Sequence, residues 1–174
     1  MSPLTHLEIS WFVANIPPGV ERFDRGLIVL SGIIADLDGL GIFWGWRFYQ
    51  RYHHIFLHNF LVAALVGILP LLLPLEHKFL VSILCLTSFH LHIVCDLLGS
   101  GPGWPVSYLW PLNRREWYCR YQWNLVSWQN STITFLMIIP ILWIALHYGR
   151  TPLEFLSPAM DARLVGFIRT IWPQ

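Results

Sequence analysis

Ser88–Pro105, SFHLHIVCDLLGSGPGWP, closes an apolar segment long enough to enter a bilayer and places ionisable side chains near its end. His92 and Asp96 stand four residues apart, so on a helix they project from one face about 40° apart. An imidazole and a carboxylate so placed can grip one metal ion or one proton. The run then breaks at Gly99, Gly101, Pro102 and Gly103. Ionisable groups inside such a segment are costly and point to function, each with a named partner. The alternative for this pair alone is a His–Asp hydrogen bond inside a bundle.

The surrounding chain sets the class. Its 174 residues are 55% hydrophobic, 16% aromatic and 12% charged. With a mean hydropathy of +0.52, the chain is too apolar for an ordinary soluble domain of this length and reads as an integral membrane protein. A net charge of +1 gives no basic footprint for nucleic acid. Cys85, Cys95 and Cys119 are odd in number and lack CxxC spacing, so they indicate neither a disulfide framework nor a cysteine zinc site. MSPLTHLE lacks the basic start of a secretory signal. No internal repeat or low-complexity segment is present.

In chain order, Leu4 to Ile16 reads as a short helix stopped by Pro17-Pro18-Gly19. A polar stretch with Glu21, Arg22, Asp24 and Arg25 precedes an apolar run that starts at Leu27 and carries Asp36 and Asp38 near its far end. After the basic, aromatic connection Arg47 to Tyr52 come His53, His54 and His58. Phe60 to Leu75 follows as the clearest transmembrane helix. Phe79 to Leu98 returns with His92 and Asp96, and a Trp/Pro/Arg-rich connection runs over residues 99–129. Its tryptophans suit an interfacial belt or a lid. Ser131 to Tyr148 is another membrane helix, with Pro140 inside it. Residues 161–172 alternate apolar and basic residues, as in a helix lying along a surface.

Parity converts this order into a site. If consecutive helices run up and down, the start of the first, the end of the second, the start of the third, the end of the fourth and the start of the fifth share one end. Those places hold His6, then Asp36 and Asp38, then His53, His54 and His58, then His92 and Asp96, then Gln129 and Asn130. His77 and His147 fall at the other end. Four separate helix ends agreeing favours a metal site over a structural polar cluster. Imidazoles and carboxylates without thiolates suit zinc first, and manganese or iron after it. The number of candidates exceeds one tetrahedral shell, so two divalent ions are expected. Paired ions make hydroxide from water near neutral pH and clamp the attacking and leaving oxygens of a phosphoryl displacement. Asp36 or Asp38 can orient that water as a base.

Thr5-His6, Ala35-Asp36-Leu37-Asp38, His53 to His58, His92-Ile93-Val94-Cys95-Asp96, Gly103-Trp104-Pro105 and Trp110-Pro111 together resemble a family of bacterial membrane-bound metal-dependent hydrolases described as LexA-regulated. That family is similar to the zinc-dependent phospholipase C and single-strand nuclease group, all-helical proteins with metals at the end of a bundle. The resemblance implies a hydrolase of phosphoesters in the bacterial inner membrane, with ligands at His6, the aspartates, His53, His58, His92 and Asp96. The family's His-Arg pair and Thr-His-Ser run stand here as His53-His54 and Leu57-His58-Asn59. Helix periodicity would pair His54 with His58, whereas the family pattern selects His53; His54 remains open as a substrate contact. Gln129 and Asn130 stand where a further acidic ligand is expected.

The expectation is therefore one all-α domain. It is a membrane bundle of about five antiparallel helices with a C-terminal amphipathic surface helix, holding a two-metal hydrolase site at one membrane face. His6, Asp38, His53, His58, His92 and Asp96 are the expected ligands, with Asp36 as ligand or water-orienting base. Arg114 and Arg115 are candidate contacts to a phosphate head group, the alternative being a solvated positive-inside loop. The expected substrate is a phosphoester of a lipid or lipid-linked molecule drawn from the bilayer. Two other classes compete: a divalent-metal or proton transporter, which needs polar residues continuing to the far face, and a non-catalytic membrane protein with a structural metal site.

Overall fold

A computed structural model describes residues 1–172, and every named element in it is helical. Helix α1 (Pro3–Asn15) starts where the Ser2 hydroxyl accepts from the Thr5 N–H at 3.2 Å, with Pro3 in the first turn, where its missing N–H costs nothing. Helix α2 (Arg22–Ile33) runs on as a 3-10 segment, Ile34–Trp44. The polar residues Arg22, Asp24 and Arg25 form the first turn of α2 rather than a connection before it. The stretch Arg47 to Tyr52, expected as a connection, lies in the short helix α3 (Trp46–Tyr52).

Helix α4 (Phe60–Leu72) has 13 residues, about 20 Å at 1.5 Å per residue, and falls short of a bilayer core. This corrects the expectation that residues 60–75 are the clearest span. The segments long and apolar enough to cross are Arg22–Trp44, Lys78–Gly99 and Trp128–Tyr148. The last two are α5 and α6. Gly149, at φ 63°, ends α6 in the left-handed conformation that glycine adopts without strain. A short 3-10 turn, Pro152–Phe155, then leads to α7 (Pro158–Ile171).

Helices α1, α2, α4, α5 and α6 make the bundle. Helix α1 packs on α2, α5 and α6, α2 on α5, and α5 on α4. One core cluster joins Trp11, Ile28, Val81, Leu84 and Ile144, and a second joins Ala35, Ala63, Val66, Phe89 and Ile93. Large apolar side chains such as Leu65, Ile68, Ile83, Phe135 and Ile139 point outward. In a bilayer such a surface meets lipid and is no liability. Helix α7 turns Asp161, Val165 and Ile168 inward and leaves Met160, Phe167 and Ile171 exposed.

The C-terminal part is fastened at the far end of the bundle from His92 and Asp96. Arg25 donates from Nε and Nη2 to the two Glu154 oxygens at 2.8 and 2.7 Å, and both side chains are buried. Asp161 accepts from the Thr151 N–H at 2.7 Å and from its hydroxyl at 2.6 Å. Bidentate pairing of this kind satisfies charges that would be costly to bury alone.

Candidate metal centre

Alternation of helix direction brings His6, Asp36, His58, His92 and Asp96 to one end of the bundle. Asp96 is the hub. Its Oδ1 lies 3.1 Å from His6 Nε2 and accepts from the Ser100 hydroxyl at 2.9 Å and from the Met1 amino group. Its Oδ2 lies 3.0 Å from His92 Nε2, 3.1 Å from His58 Nε2 and 3.5 Å from His54 Nε2. His92 Nε2 is also 3.9 Å from Asp36 Oδ1. Two overlapping groups of donor atoms can each surround an ion: His6, Asp36, His92 and Asp96, and His54, His58 and Asp96.

The histidines are oriented from behind. His92 Nδ1 lies 2.8 Å from the Gly32 carbonyl; a carbonyl only accepts, so Nδ1 carries the proton and the Nε2 lone pair faces the centre. That approach requires glycine at position 32, because a Cβ there would overlap the hydroxyls of Ser10 and Ser88. Asp38 performs the same service for the loop before α4. Its Oδ1 meets His53 Nδ1 at 2.5 Å, and its Oδ2 accepts from His58 Nδ1 at 2.9 Å and from the His54 backbone N–H at 3.0 Å. Metal-binding imidazoles are commonly held by a carboxylate on the far ring nitrogen. Both Asp38 oxygens are engaged in this way, and neither Asp38 nor His53 belongs to the two donor groups found among the described residues.

His53, His54 and His58 precede α4 rather than lying on it, so the helical pairing of His54 with His58 does not apply. His54 instead takes φ 67°, a conformation uncommon outside glycine. It is held by Asp38 on its N–H and by the Ser107 N–H on its carbonyl at 3.1 Å. Held strain of this type concentrates at functional sites, and here it turns a second imidazole toward Asp96. Asn59, where the family pattern has a hydroxyl, accepts from the Leu61 and Val62 N–H groups and donates to the Ile55 and Phe56 carbonyls. It caps α4 and closes the histidine loop, a task that asparagine and serine share.

The electrostatics suit a cation. Burial pushes His54 well below the usual imidazole range. Burial also opposes charge on His58, but the hydrogen bonds that its ring donates to the Asp38 and Asp96 carboxylates outweigh it and raise its pKa to about 9. A field that favours a proton there favours a metal ion as well. His6 Nδ1, His54 Nδ1 and Asp36 Oδ2 are buried without a hydrogen-bond partner. The donor set is nitrogen and oxygen throughout, so these residues fit a divalent ion of the zinc type.

A cavity of about 730 Å³ opens on this centre, with Asp36, His53, His54, Asp96 and Ser100 on its inner wall. Tyr49 stacks on His53 at 4.6 Å, and Trp104 meets the same ring edge-on at 5.6 Å. Asn130 stands at the same end, but it donates to the Gly99 and Leu125 carbonyls and accepts from Trp123, tying α6 to the end of α5. Arg114 and Arg115 are exposed and outside the cavity lining, with Arg115 lying over Trp117 at 4.5 Å.

Against known proteins, the model of one family, described as YdjM inner membrane protein, matches residues 1–168. The chain belongs to this family. It is thus a multi-pass inner-membrane protein, as its three apolar segments fit. No curated protein matches, and no solved structure matches. The matched region of this YdjM family member takes in every residue of both donor groups.

Proposed function

We propose that this protein is a membrane-bound metal-dependent hydrolase of phosphoester bonds in a lipid or lipid-linked substrate. The observation that carries the reading is the pair of donor groups sharing Asp96 at the floor of a cavity. His6, Asp36, His92 and Asp96 would hold one divalent ion and His54, His58 and Asp96 another, zinc being the first choice. Ions so held supply hydroxide near neutral pH and polarise phosphoryl oxygens. Asp38 fixes the loop histidines, and the Gly32 carbonyl fixes His92. Asp36, with one oxygen unpartnered, is placed to orient a water as base. The resemblance of the motifs to bacterial membrane-bound metal-dependent hydrolases supports the same chemistry.

Transport finds less support. Below the centre the Ser10 and Ser31 hydroxyls turn back onto the His6 and Leu27 carbonyls, and Trp11, Ile28, Val81 and Leu84 fill the core beyond. The test is hydrolysis of bis(p-nitrophenyl) phosphate by purified protein with added zinc, before and after chelation. The reading predicts chelator-sensitive turnover that falls at least ~100-fold in Asp96→Ala, the scale of losing a group that stabilises developing charge. Absence of phosphoester hydrolysis by metal-loaded wild type would overturn it.

A further inference from the structure

Besides its polar residues, the cavity lining includes the apolar Leu40, Ile42, Trp46, Leu125 and Val126. Ile42 is 43% exposed, Trp46 57% and Val126 93%, so the apolar wall is open at its outer edge. Leu40 and Ile42 belong to the closing end of the first crossing segment, Arg22–Trp44, and Val126 stands just before the third, Trp128–Tyr148. The mouth therefore sits where these segments meet the membrane boundary. Exposed Phe43, Trp44 and Trp128 continue it outward as an aromatic rim, of the kind that sits at head-group level.

Resting on the hydrolase reading, we infer that the substrate is a membrane amphiphile. Its phosphate reaches the His/Asp wall while one hydrocarbon chain lies in the cavity against Leu40, Ile42, Trp46, Leu125 and Val126. The volume accommodates one chain. At roughly 30 Å³ per non-hydrogen group, the share water takes in its liquid, the cavity of about 730 Å³ holds about two dozen groups. That suffices for a phosphodiester head and one chain of a dozen or so carbons. A chain leaving lipid for this wall exchanges one apolar surface for another and gains little hydrophobic free energy. The wall thus acts by orienting the substrate and letting it enter sideways, and recognition needs the head group as well as the chain.

Photolabelling tests this without turnover. The protein as isolated, in lipid nanodiscs, is irradiated with an alkyl phosphocholine carrying a diazirine in its chain, and labelled peptides are mapped by mass spectrometry. Labels are expected to concentrate on residues 40–46 and 124–126. Excess hexadecylphosphocholine should suppress them at least five-fold, and hexadecanol, which has the chain but no phosphate, should not. Ile42→Asp and Val126→Asp should each lose this labelling, with metal content and circular dichroism confirming that they fold. Labels spread evenly along the lipid-facing sides of α5 and α6, or suppressed equally by hexadecanol, would overturn the inference. Wild type that hydrolyses bis(p-nitrophenyl) phosphate but takes no label there sinks the amphiphile alone. Labelling without hydrolysis sinks the hydrolase reading and leaves an amphiphile-binding site.

Discussion

Asp38→Asn separates a ligand from a residue that aims ligands. Asp38 holds His53 at 2.5 Å, His58 at 2.9 Å and the His54 N–H at 3.0 Å. The amide keeps one acceptor and turns a donor toward an imidazole N–H, so one histidine of the loop loses its anchor. Losing such an outer carboxylate weakens metal binding about 10- to 100-fold, which is about 1.4–2.8 kcal/mol at 1.4 kcal/mol per decade. Asp96→Ala, by contrast, removes the oxygens that both donor groups share and should abolish binding outright. Zinc titration of detergent-purified protein against a fluorescent chelator, with stoichiometry from elemental analysis, distinguishes the two. Asp38→Asn should retain the wild-type ion count at reduced affinity. Complete loss of one ion would make Asp38 a direct ligand, and affinity within about two-fold of wild type, well below the outer-carboxylate range, would remove it from the centre.

Three further substitutions probe the scaffold. Gly32→Ala drives a methyl into the Ser10 and Ser88 hydroxyls; thermal unfolding should show a loss of about 1–3 kcal/mol, and zinc affinity should drop with it as the carbonyl behind His92 shifts. Arg25→Ala leaves Glu154 buried and unpaired, costing about 3–5 kcal/mol, most of which the double variant with Glu154→Ala should recover. Unfolding of the two singles and the double by scanning fluorimetry measures this, and additive losses would contradict it. Asn59→Ala should cost about 1 kcal/mol through its cap, and Asn59→Ser should restore most of it.

Much of the architecture was legible because its signals are periodic. The reversal of apolar runs places His6, Asp36, Asp38, His53, His54, His58, His92 and Asp96 at one end, and the fold gathers them there. What escaped was local backbone. Residues 60–75 look like the strongest span on hydropathy alone; α4 does start at Phe60, but Leu73 leaves the helix in extended conformation and cuts it short. The positive φ of His54 is not announced by the sequence, which leaves that residue open beside His53; it brings His54 into a donor group with His58 and Asp96. Asp38 and His53 are expected ligands by pattern, and their contact with each other is a feature that no sequence pattern announces. Arg114 and Arg115 were chosen for charge, which carries no information on which way a loop faces. The cap role of Asn59 was readable in principle, since asparagine ahead of an apolar run is a helix-start signal.

In the proposed centre one buried carboxylate, that of Asp96, joins two ion sites. Elemental analysis of the protein purified in zinc-supplemented buffer, beside Asp96→Ala and His92→Ala, addresses it most directly. Two ions per chain are expected for wild type, none for Asp96→Ala, and a partial loss for His92→Ala, whose ring belongs to the group with His6 and Asp36. Wild type that retains no metal, or the same stoichiometry in all three proteins, would contradict it.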